Sequence, residues 1–324
     1  MTLQTCTQNW PAYNRAQQAE EALFMELLAD LCSEIQEPEY NFGRPRNSLK
    51  DMVYCAAFKV YSMYSGRRFT SDMKHAQEDG HIKKAPHYNS IFNYLERKEL
   101  TPILNSLIVK SSLPLSSVEV DFAVDSSGFS TRNYDRWFEY KWSKNNVHKA
   151  WVKAHLMCGV KTNIVTAVRL TEGTANDAPH LINLVNRTAK NFCIQEVSAD
   201  KAYSSRTNLQ CVNDLGGVPF IPFKKGVTGK PHGYPIWRKM HNYFQLHSEE
   251  FYKHYHKRSN VESTFFMIKS KFGSSLKSRT RTAQYNEVLC KILCHNVCVV
   301  IQEMHEIGLH DTGLLFCGSP RQFY

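Results

Sequence analysis

The sequence lacks the features of a membrane or a secreted protein. Its apolar runs stop well short of the ~20 residues that a membrane-spanning helix needs, and its first residues contain no signal-peptide core. Its 10 cysteines are scattered, without the framework of a small disulfide-rich domain. Hydrophobic residues nevertheless make up 42% of the chain, which is enough to build a core. We therefore expect an intracellular globular protein with reduced thiols.

Bases are scarce at the start of the chain, and acids are scarce near its end. The first forty residues contain Arg15 as their only base against seven acids, and no acid occurs between Glu262 and Glu287. The net charge is still +10, so the rest of the chain is strongly basic. This charge favours a polyanionic partner, and nucleic acid is preferred over a membrane because no basic amphipathic anchor stands out. The alternative is that the charge only keeps the protein soluble.

The first 113 residues show helical patterns. Residues 17–36 form an acidic amphipathic helix, and the segment NFGRPRNS follows. Its Arg44 and Arg46 are predicted to lie in a DNA groove, with a plain linker as the alternative. Three short helices are then predicted over residues 48–100. Together they favour a helix-turn-helix-like DNA-binding region over residues 1–113, with a purely structural helical bundle as the alternative.

From Pro114 onward the pattern becomes that of strands. SVEVDFAVDSSGF alternates as a strand does and is predicted to end in a Ser-Ser-Gly turn. Two more strands follow, and helices then alternate with the short strands QEVSAD and VPFIPF. This order predicts an α/β fold with a mixed sheet flanked by helices over residues 114–310. Residues 224–250 are predicted as an irregular insertion, and residues 311–324 as a C-terminal tail.

One carboxylate lies in the middle of a basic and aromatic run, HYHKRSNVESTFFMIKSKFG, residues 254–273. On a helix of about 100° per residue, four polar residues share a stripe about 60° wide: Tyr255, Arg258, Glu262 and Lys269. A neighbouring apolar stripe from Val261 to Phe272 can pack on a sheet. The pattern predicts a helix with one anchoring face and one functional face, although a solvated surface helix is the alternative.

Glu262 makes chemical sense as a ligand of a metal that other carboxylates share. Mg²⁺ prefers oxygen ligands, and two further acids occur where strands are predicted to end, Asp125 and Asp200. Three convergent carboxylates can hold two metal ions, one activating a water or a 3′-hydroxyl and the other stabilising the leaving oxygen. The sequence therefore predicts that Asp125, Asp200 and Glu262 form a catalytic metal site surrounded by phosphate-binding bases.

Three segments resemble the acidic motifs of the RNase H-like DDE transposases of prokaryotic insertion sequences: AVDSSGF, SADKAY and YHKRSNVESTFFMIK. The third matches the Y-x2-R-x3-E-x6-K signature of that group, and the resemblance extends over residues 118–308. It implies an RNase H-like core in which Asp125, Asp200 and Glu262 bind two Mg²⁺ ions, for which Mn²⁺ can substitute. It also implies that Tyr255, Arg258 and Lys269 contact phosphates near the cleaved DNA end.

Further bases continue this pattern after the third motif. The predicted phosphate-binding run comprises Lys269, Lys271, Lys277, Arg279 and Arg281. Gly273 is predicted to end the helix. If the run were only a solvated face, acids should be interspersed among its bases.

Other residues have competing interpretations. Asp121 lies on the same strand face as Asp125 and is the alternative first acid, while Asp177 is interpreted as a helix cap. The cysteines at 290, 294 and 298 are predicted to form a buried helix face rather than a zinc site. The tryptophans at 137, 142 and 151 are predicted to pack in the core rather than stack on a base.

The sequence thus predicts a transposase that binds terminal inverted repeats of double-stranded DNA, cleaves with Mg²⁺ and joins the freed 3′-hydroxyl to target DNA. Because two DNA ends must meet, the resemblance also implies a homodimer in the synaptic complex. We expect the protein in the cytoplasm, associated with the nucleoid and not with a membrane. The alternatives are a nuclease of the same fold without strand transfer and a non-catalytic DNA-binding derivative of a transposase.

Overall fold

The computed structural model describes residues 9–39, 42–43, 46–131 and 151–308. The predicted groove residue Arg44, the tryptophans at 137 and 142 and the tail at 311–324 lie outside the described residues. Five helices form the N-terminal part of the described chain: α1 (Trp10–Ser33), α2 (Leu49–Ser62), α3 (Phe69–Glu78), α4 (Tyr88–Leu95) and α5 (Leu100–Ser112). The prediction of a helical N-terminal region is therefore confirmed.

Local sequence explains where these helices begin. α1 begins well before residue 17, because the Asn9 side chain accepts from the Ala12 amide and a proline occupies the first turn, where its missing N–H costs no hydrogen bond. The Ser48 side chain caps α2 by accepting from the Asp51 amide, as the sequence predicts. Ten of the fourteen residues of α2 are buried, so this helix lies inside the bundle and α3 and α4 lie at its surface.

A five-stranded mixed sheet follows. Its strands are β1 (Asp121–Ser130), β2 (Trp151–Gly159), β3 (Val165–Glu172), β4 (Glu196–Ala199) and β5 (Val218–Phe220). They lie in the order β3-β2-β1-β4-β5; β1 pairs antiparallel with β2 and parallel with β4. The predicted mixed sheet is confirmed.

The predicted Ser-Ser-Gly turn after Asp125 is wrong, because β1 continues to Ser130 and pairs with β2 along its length. Gly128 pairs with Lys153, and a side chain at this glycine would meet the ring of Trp151 at 3.0 Å. The glycine therefore makes room for an aromatic ring rather than for a turn. Trp151 itself is 38% exposed, so it is not the core residue that the sequence predicts.

The remaining helices of the described residues flank the sheet. They are α6 (Leu181–Thr188), α7 (Arg206–Asp214), α8 (Pro235–Leu246), α9 (Ser248–Tyr255), α10 (Ser259–Phe272) and α11 (Arg281–Ile307). The prediction of an irregular insertion at 224–250 is wrong for its second half, which contains α8 and the first residues of α9. Pro235 begins α8 in the first turn, and Ile236, Trp237 and Met240 bury one face of it.

The sheet separates two hydrophobic cores. The core on one side contains residues of α1–α5, α10 and α11, and the core on the other side contains residues of α6–α9. The first core joins the N-terminal helices to the sheet, so no gap in packing marks the predicted domain boundary at residue 114. The division at residue 114 into a DNA-binding region and a catalytic domain stays a prediction.

The central helix of the first core is α11, 27 residues long. Among the described residues, it is the one helix whose length and composition would allow it to cross a membrane. However, 78% of its most apolar window is buried inside the protein, as in the core helix of a globular protein. Cys290 and Cys294 are fully buried on it and Cys298 is partly buried, as predicted for a packing face. The buried Asn296 bonds to both the amide and the carbonyl of Val165, which fixes α11 against β3.

Candidate catalytic site

Strand register brings the first two predicted acids together. The last parallel pair between β1 and β4 joins Val124 to Ala199, and the next residues are Asp125 and Asp200. Neighbouring strands lie about 4.8 Å apart, so these two acids lie side by side at the carboxyl end of β4. Because strand side chains alternate, Asp125 lies on the same face as Ala123, which belongs to the core beneath α10.

Arg258 connects the first acid to the third. Its Nη1 lies 2.6 Å from Asp125 Oδ2, and its Nη2 lies 2.6 Å from Glu262 Oε1. Arg258 ends a 3-10 turn, His256–Arg258, between α9 and α10, so the predicted single helix over 254–273 is interrupted there. The turn still places Arg258 and Glu262 on one side, and α10 ends at Gly273, as predicted.

The electrostatics of the site agree with this convergence. Burial raises the pKa of Asp125, and the neighbouring Asp200 and Glu262 raise it further against the lowering effect of Arg258. Burial also raises the pKa of the Tyr255 phenol, with Arg258 opposing and Asp200 adding to the rise. Although burial disfavours a charged guanidinium, Tyr255, Asp125 and Glu262 raise the pKa of Arg258. The site is thus an acidic cluster held by one arginine.

Lys269 completes the predicted polar stripe. Its Nζ lies 2.6 Å from Ser127 Oγ on β1, two residues beyond Asp125, and 5.3 Å from the ring centre of Phe129. Burial lowers the pKa of this ammonium. Tyr255 lies against Arg258, whose guanidinium carbon is 5.8 Å from the phenol ring centre. The structure therefore gathers all four residues of the stripe around β1.

A family model described as "Transposase DDE domain" matches residues 116–297. The chain belongs to this transposase family. No curated protein matches the chain. The matched span begins shortly before β1 and ends within α11, so it contains the whole sheet and all three predicted acids. The mixed sheet flanked by helices is consistent with the RNase H-like fold of such transposases.

The donor set of this transposase domain fits a divalent metal by its chemistry, since carboxylates are the ligands that Mg²⁺ prefers. No described group of three or more His, Cys, Asp and Glu side chains is close enough together to hold an ion as it stands. The guanidinium of Arg258 supplies the positive charge between Asp125 and Glu262. Glu262 is 58% exposed, so its side chain is held by this ion pair rather than by packing.

The side chains of the predicted basic run contact different parts of the protein. Lys271 forms an ion pair with Glu20 of α1 and lies over the ring of Tyr61, so it faces the N-terminal helices and not the acids. Lys277 Nζ donates to the Met63 carbonyl at 3.1 Å. The run is therefore not one continuous phosphate-binding surface.

The other predicted DNA contacts lie at the surface. Arg281 lies 4.8 Å from the ring centre of Tyr285 and 3.4 Å from the Trp151 carbonyl. Arg279 is exposed. Arg46 is also exposed, in a cleft that Glu37 and Glu39 line as well.

Asp121, the alternative first acid, belongs to a separate ion network. Its carboxylate lies 2.7 Å from Lys257 Nζ, which also lies 2.8 Å from Glu196. His254 adds a contact of 2.9 Å to Glu196. These contacts fix the beginning of β1 and β4. Asp121 lies four residues before Asp125 on β1 and outside the Arg258 cluster, so Asp125 is the first acid of that cluster.

Asp177 is a residue to which the sequence analysis assigned only a capping role. It makes no side-chain cap for the following helix, contrary to the prediction. Its Oδ1 instead lies 2.8 Å from Ser126 Oγ and 2.7 Å from Lys153 Nζ. The fully buried His155 lies beside it, and burial together with His180 lowers the pKa of His155 to about 4. The available signal was a lysine and a histidine, Lys153 and His155, on one face of a strand whose other residues are apolar.

Proposed function

We propose that this protein is a DNA transposase whose phosphoryl-transfer site consists of Asp125, Asp200 and Glu262. The observation that carries the proposal is the guanidinium of Arg258, which bonds Asp125 and Glu262 at 2.6 Å each, next to the strand register that pairs Val124 with Ala199 and so sets Asp125 beside Asp200. A cation held between two carboxylates of one cluster supports a metal charge at that place.

Two divalent ions, Mg²⁺ with Mn²⁺ as a substitute, would supply activation of a water or 3′-hydroxyl and stabilisation of the leaving oxygen. The chain's own residues provide the rest. The three carboxylates would hold the ions, and Arg258 would then be available to hold a phosphate. Tyr255, whose pKa is raised by burial, keeps its proton and donates it as a hydrogen bond. Lys269, anchored at Ser127, adds a second phosphate contact beside β1.

The partner of this site is double-stranded DNA, namely the terminal inverted repeats and the target. The bases outside the site bind the duplex backbone, namely the exposed Arg46, Lys277 and Arg279 and the partly buried Arg281. Arg44, which lies outside the described residues, is proposed to join them. Lys271 joins them only by leaving Glu20. The surface helices α3 and α4 read the repeat. A homodimer pairs the two ends, and the protein acts in the cytoplasm at the nucleoid.

The test is a Mg²⁺-dependent assay with labelled DNA from both flanks of the gene, comparing wild type with Glu262→Gln. Asp214→Asn is the matched control, since its carboxylate is exposed on α7, outside the cluster and away from the proposed DNA contacts. We expect cleaved and joined products from wild type and the control, and neither product from Glu262→Gln, which still binds DNA. Cleavage without joining would indicate a nuclease. Tight DNA binding with no cutting by wild type would indicate a non-catalytic derivative.

A further inference from the structure

A second polar cluster lies on the face of the sheet opposite to the acids. Ser126 pairs with His155 in the sheet, so both side chains lie on the same face, while Asp125 lies on the other. Asp177 reaches this cluster from the loop after β3, and Lys153 lies 2.7 Å from it. Asp177 is 20% exposed, Lys153 is 18% exposed and His155 is fully buried. This is an enclosed ion pair directly behind the site.

Two hydrogen bonds connect Asp177 to the first acid. The Ser126 hydroxyl donates to Asp177 Oδ1 at 2.8 Å, and the Ser126 amide donates to Asp125 Oδ1 at 2.8 Å. Ser126 is thus held by Asp177 on one side and holds the Asp125 carboxylate on the other. A shift of Ser126 would turn the amide away from that carboxylate.

The same cluster reaches the second acid through Tyr203. Tyr203 lies in the 3-10 turn that follows Asp200, and its amide donates to the Asp200 carbonyl at 2.9 Å. Its hydroxyl lies 3.4 Å from His155 Nδ1, which in turn lies 3.3 Å from Asp177. His155 is fixed from its other nitrogen by Thr171 at 2.9 Å. The segment that carries Asp125 and the segment that carries Asp200 are therefore both connected to Asp177.

We infer that Asp177 is a positioning residue that holds Asp125 and Asp200 in register for a shared metal. The inference rests on the proposed function of these two acids. Groups behind metal ligands orient them, and their loss commonly costs about 10- to 100-fold in metal affinity or activity. Asp177 suits this task because Lys153 balances its charge inside the fold, so it remains fixed when substrate and metal exchange on the open face.

The test measures Mg²⁺ binding by calorimetry, with MgCl₂ titrated into DNA-free full-length protein, and end cleavage in parallel. Asp177→Ala and Ser126→Ala should each weaken Mg²⁺ binding by about 10- to 100-fold. Because the Ser126 hydroxyl acts through Asp177, the double variant should bind Mg²⁺ no more weakly than Asp177→Ala alone. Ser126→Thr keeps the hydroxyl and should restore binding. Asp214→Ala, an exposed carboxylate on α7, should leave it unchanged.

Thermal unfolding shows whether each variant is folded. If Asp177→Ala does not fold, the Ser126→Ala and Ser126→Thr pair decides. Unchanged Mg²⁺ binding in folded variants, or losses that multiply in the double variant, would overturn the inference. So would complete loss of Mg²⁺ binding in Asp177→Ala alone, which would make Asp177 a ligand. A wild type that binds Mg²⁺ but cuts no DNA contradicts only the proposed function. A wild type that binds no Mg²⁺ overturns both.

Discussion

The ion networks on the two faces of the sheet differ in how far their side chains are exposed to solvent. On the open face, Arg258 joins Asp125 to a Glu262 that is 58% exposed. On the closed face, Asp177 and Lys153 are about one-fifth exposed and surround a fully buried histidine. The Arg258–Asp125 pair is as enclosed as the Asp177–Lys153 pair, since its side chains are 21% and 22% exposed. The two faces therefore differ at Glu262, whose exposed ion pair with Arg258 is weak and exchanges readily, and at the buried histidine, which has no counterpart in the Arg258 cluster.

The largest expected effect is the loss of the open-face carboxylates. Asp125→Asn, Asp200→Asn or Glu262→Gln should lower the rate of DNA cleavage by a thousandfold or more, on the order seen when groups that act as a unit are removed. Binding of end DNA, measured by gel shift, should stay near the wild-type level because the bases remain. Retained cleavage in any one variant would remove that residue from the site.

An enclosed carboxylate without a basic partner should behave differently from Asp177. Glu303 on α11 is buried, and burial together with Glu306 and Glu119 raises its pKa to about 7. An acid with a raised pKa destabilises the fold when it is ionised. The cost is absent below its ordinary pKa of 4.5, grows as pH rises toward about 7 and is complete above that.

Glu303→Gln should therefore increase the free energy of unfolding by up to about 3 kcal/mol near pH 8 and by little below about pH 5. Denaturant unfolding at both pH values measures this, with the exposed Glu172→Gln as control. An equal effect at the two pH values would contradict the assignment of an ionisation cost to Glu303.

Two lysines on α10, two residues apart, should differ in whether they affect DNA binding or stability. Lys269→Met removes a charge beside Asp125 but keeps the packing on Phe129 and Phe265, so DNA affinity and its salt dependence should fall while stability is unchanged. Lys271→Met removes the ion pair to Glu20 and should cost about 1 kcal/mol of stability with little effect on DNA binding. Salt-dependent gel shifts and denaturant unfolding of both variants test this. The reverse pattern would assign Lys271 to DNA.

The smallest expected effect concerns Arg258. Removing its guanidinium from between Asp125 and Glu262 should strengthen Mg²⁺ binding to the DNA-free protein by several-fold, on the order of 1 kcal/mol, since a competing cation is lost. Calorimetry measures the change. Lys257→Met is the matched control, because Lys257 pairs with Asp121 outside the cluster. Weaker Mg²⁺ binding in Arg258→Ala than in Lys257→Met would show that Arg258 supports the site and does not occupy it.

Much of the fold could be predicted from local pattern. Alternation predicted β1 through β5 near their observed positions, and the stripe of Tyr255, Arg258, Glu262 and Lys269 does gather at β1. The failures have a common cause. The continuation of β1 past Gly128, the helix α8 and the role of Asp177 each depend on contacts with residues distant in sequence, and local propensity carries no information about such partners.

The sequence by itself determined the identities and order of the acids, because a metal ligand must be an oxygen donor and a helix stripe follows from its period. Only the tertiary structure decided which side chains meet. The pairing of Val124 with Ala199 sets Asp125 beside Asp200, and the 3-10 turn places Arg258 between Asp125 and Glu262. The same packing turned Lys271 toward Glu20 and placed Asp177 behind the site. Register and helix docking are properties of the whole core, so no short segment specifies them.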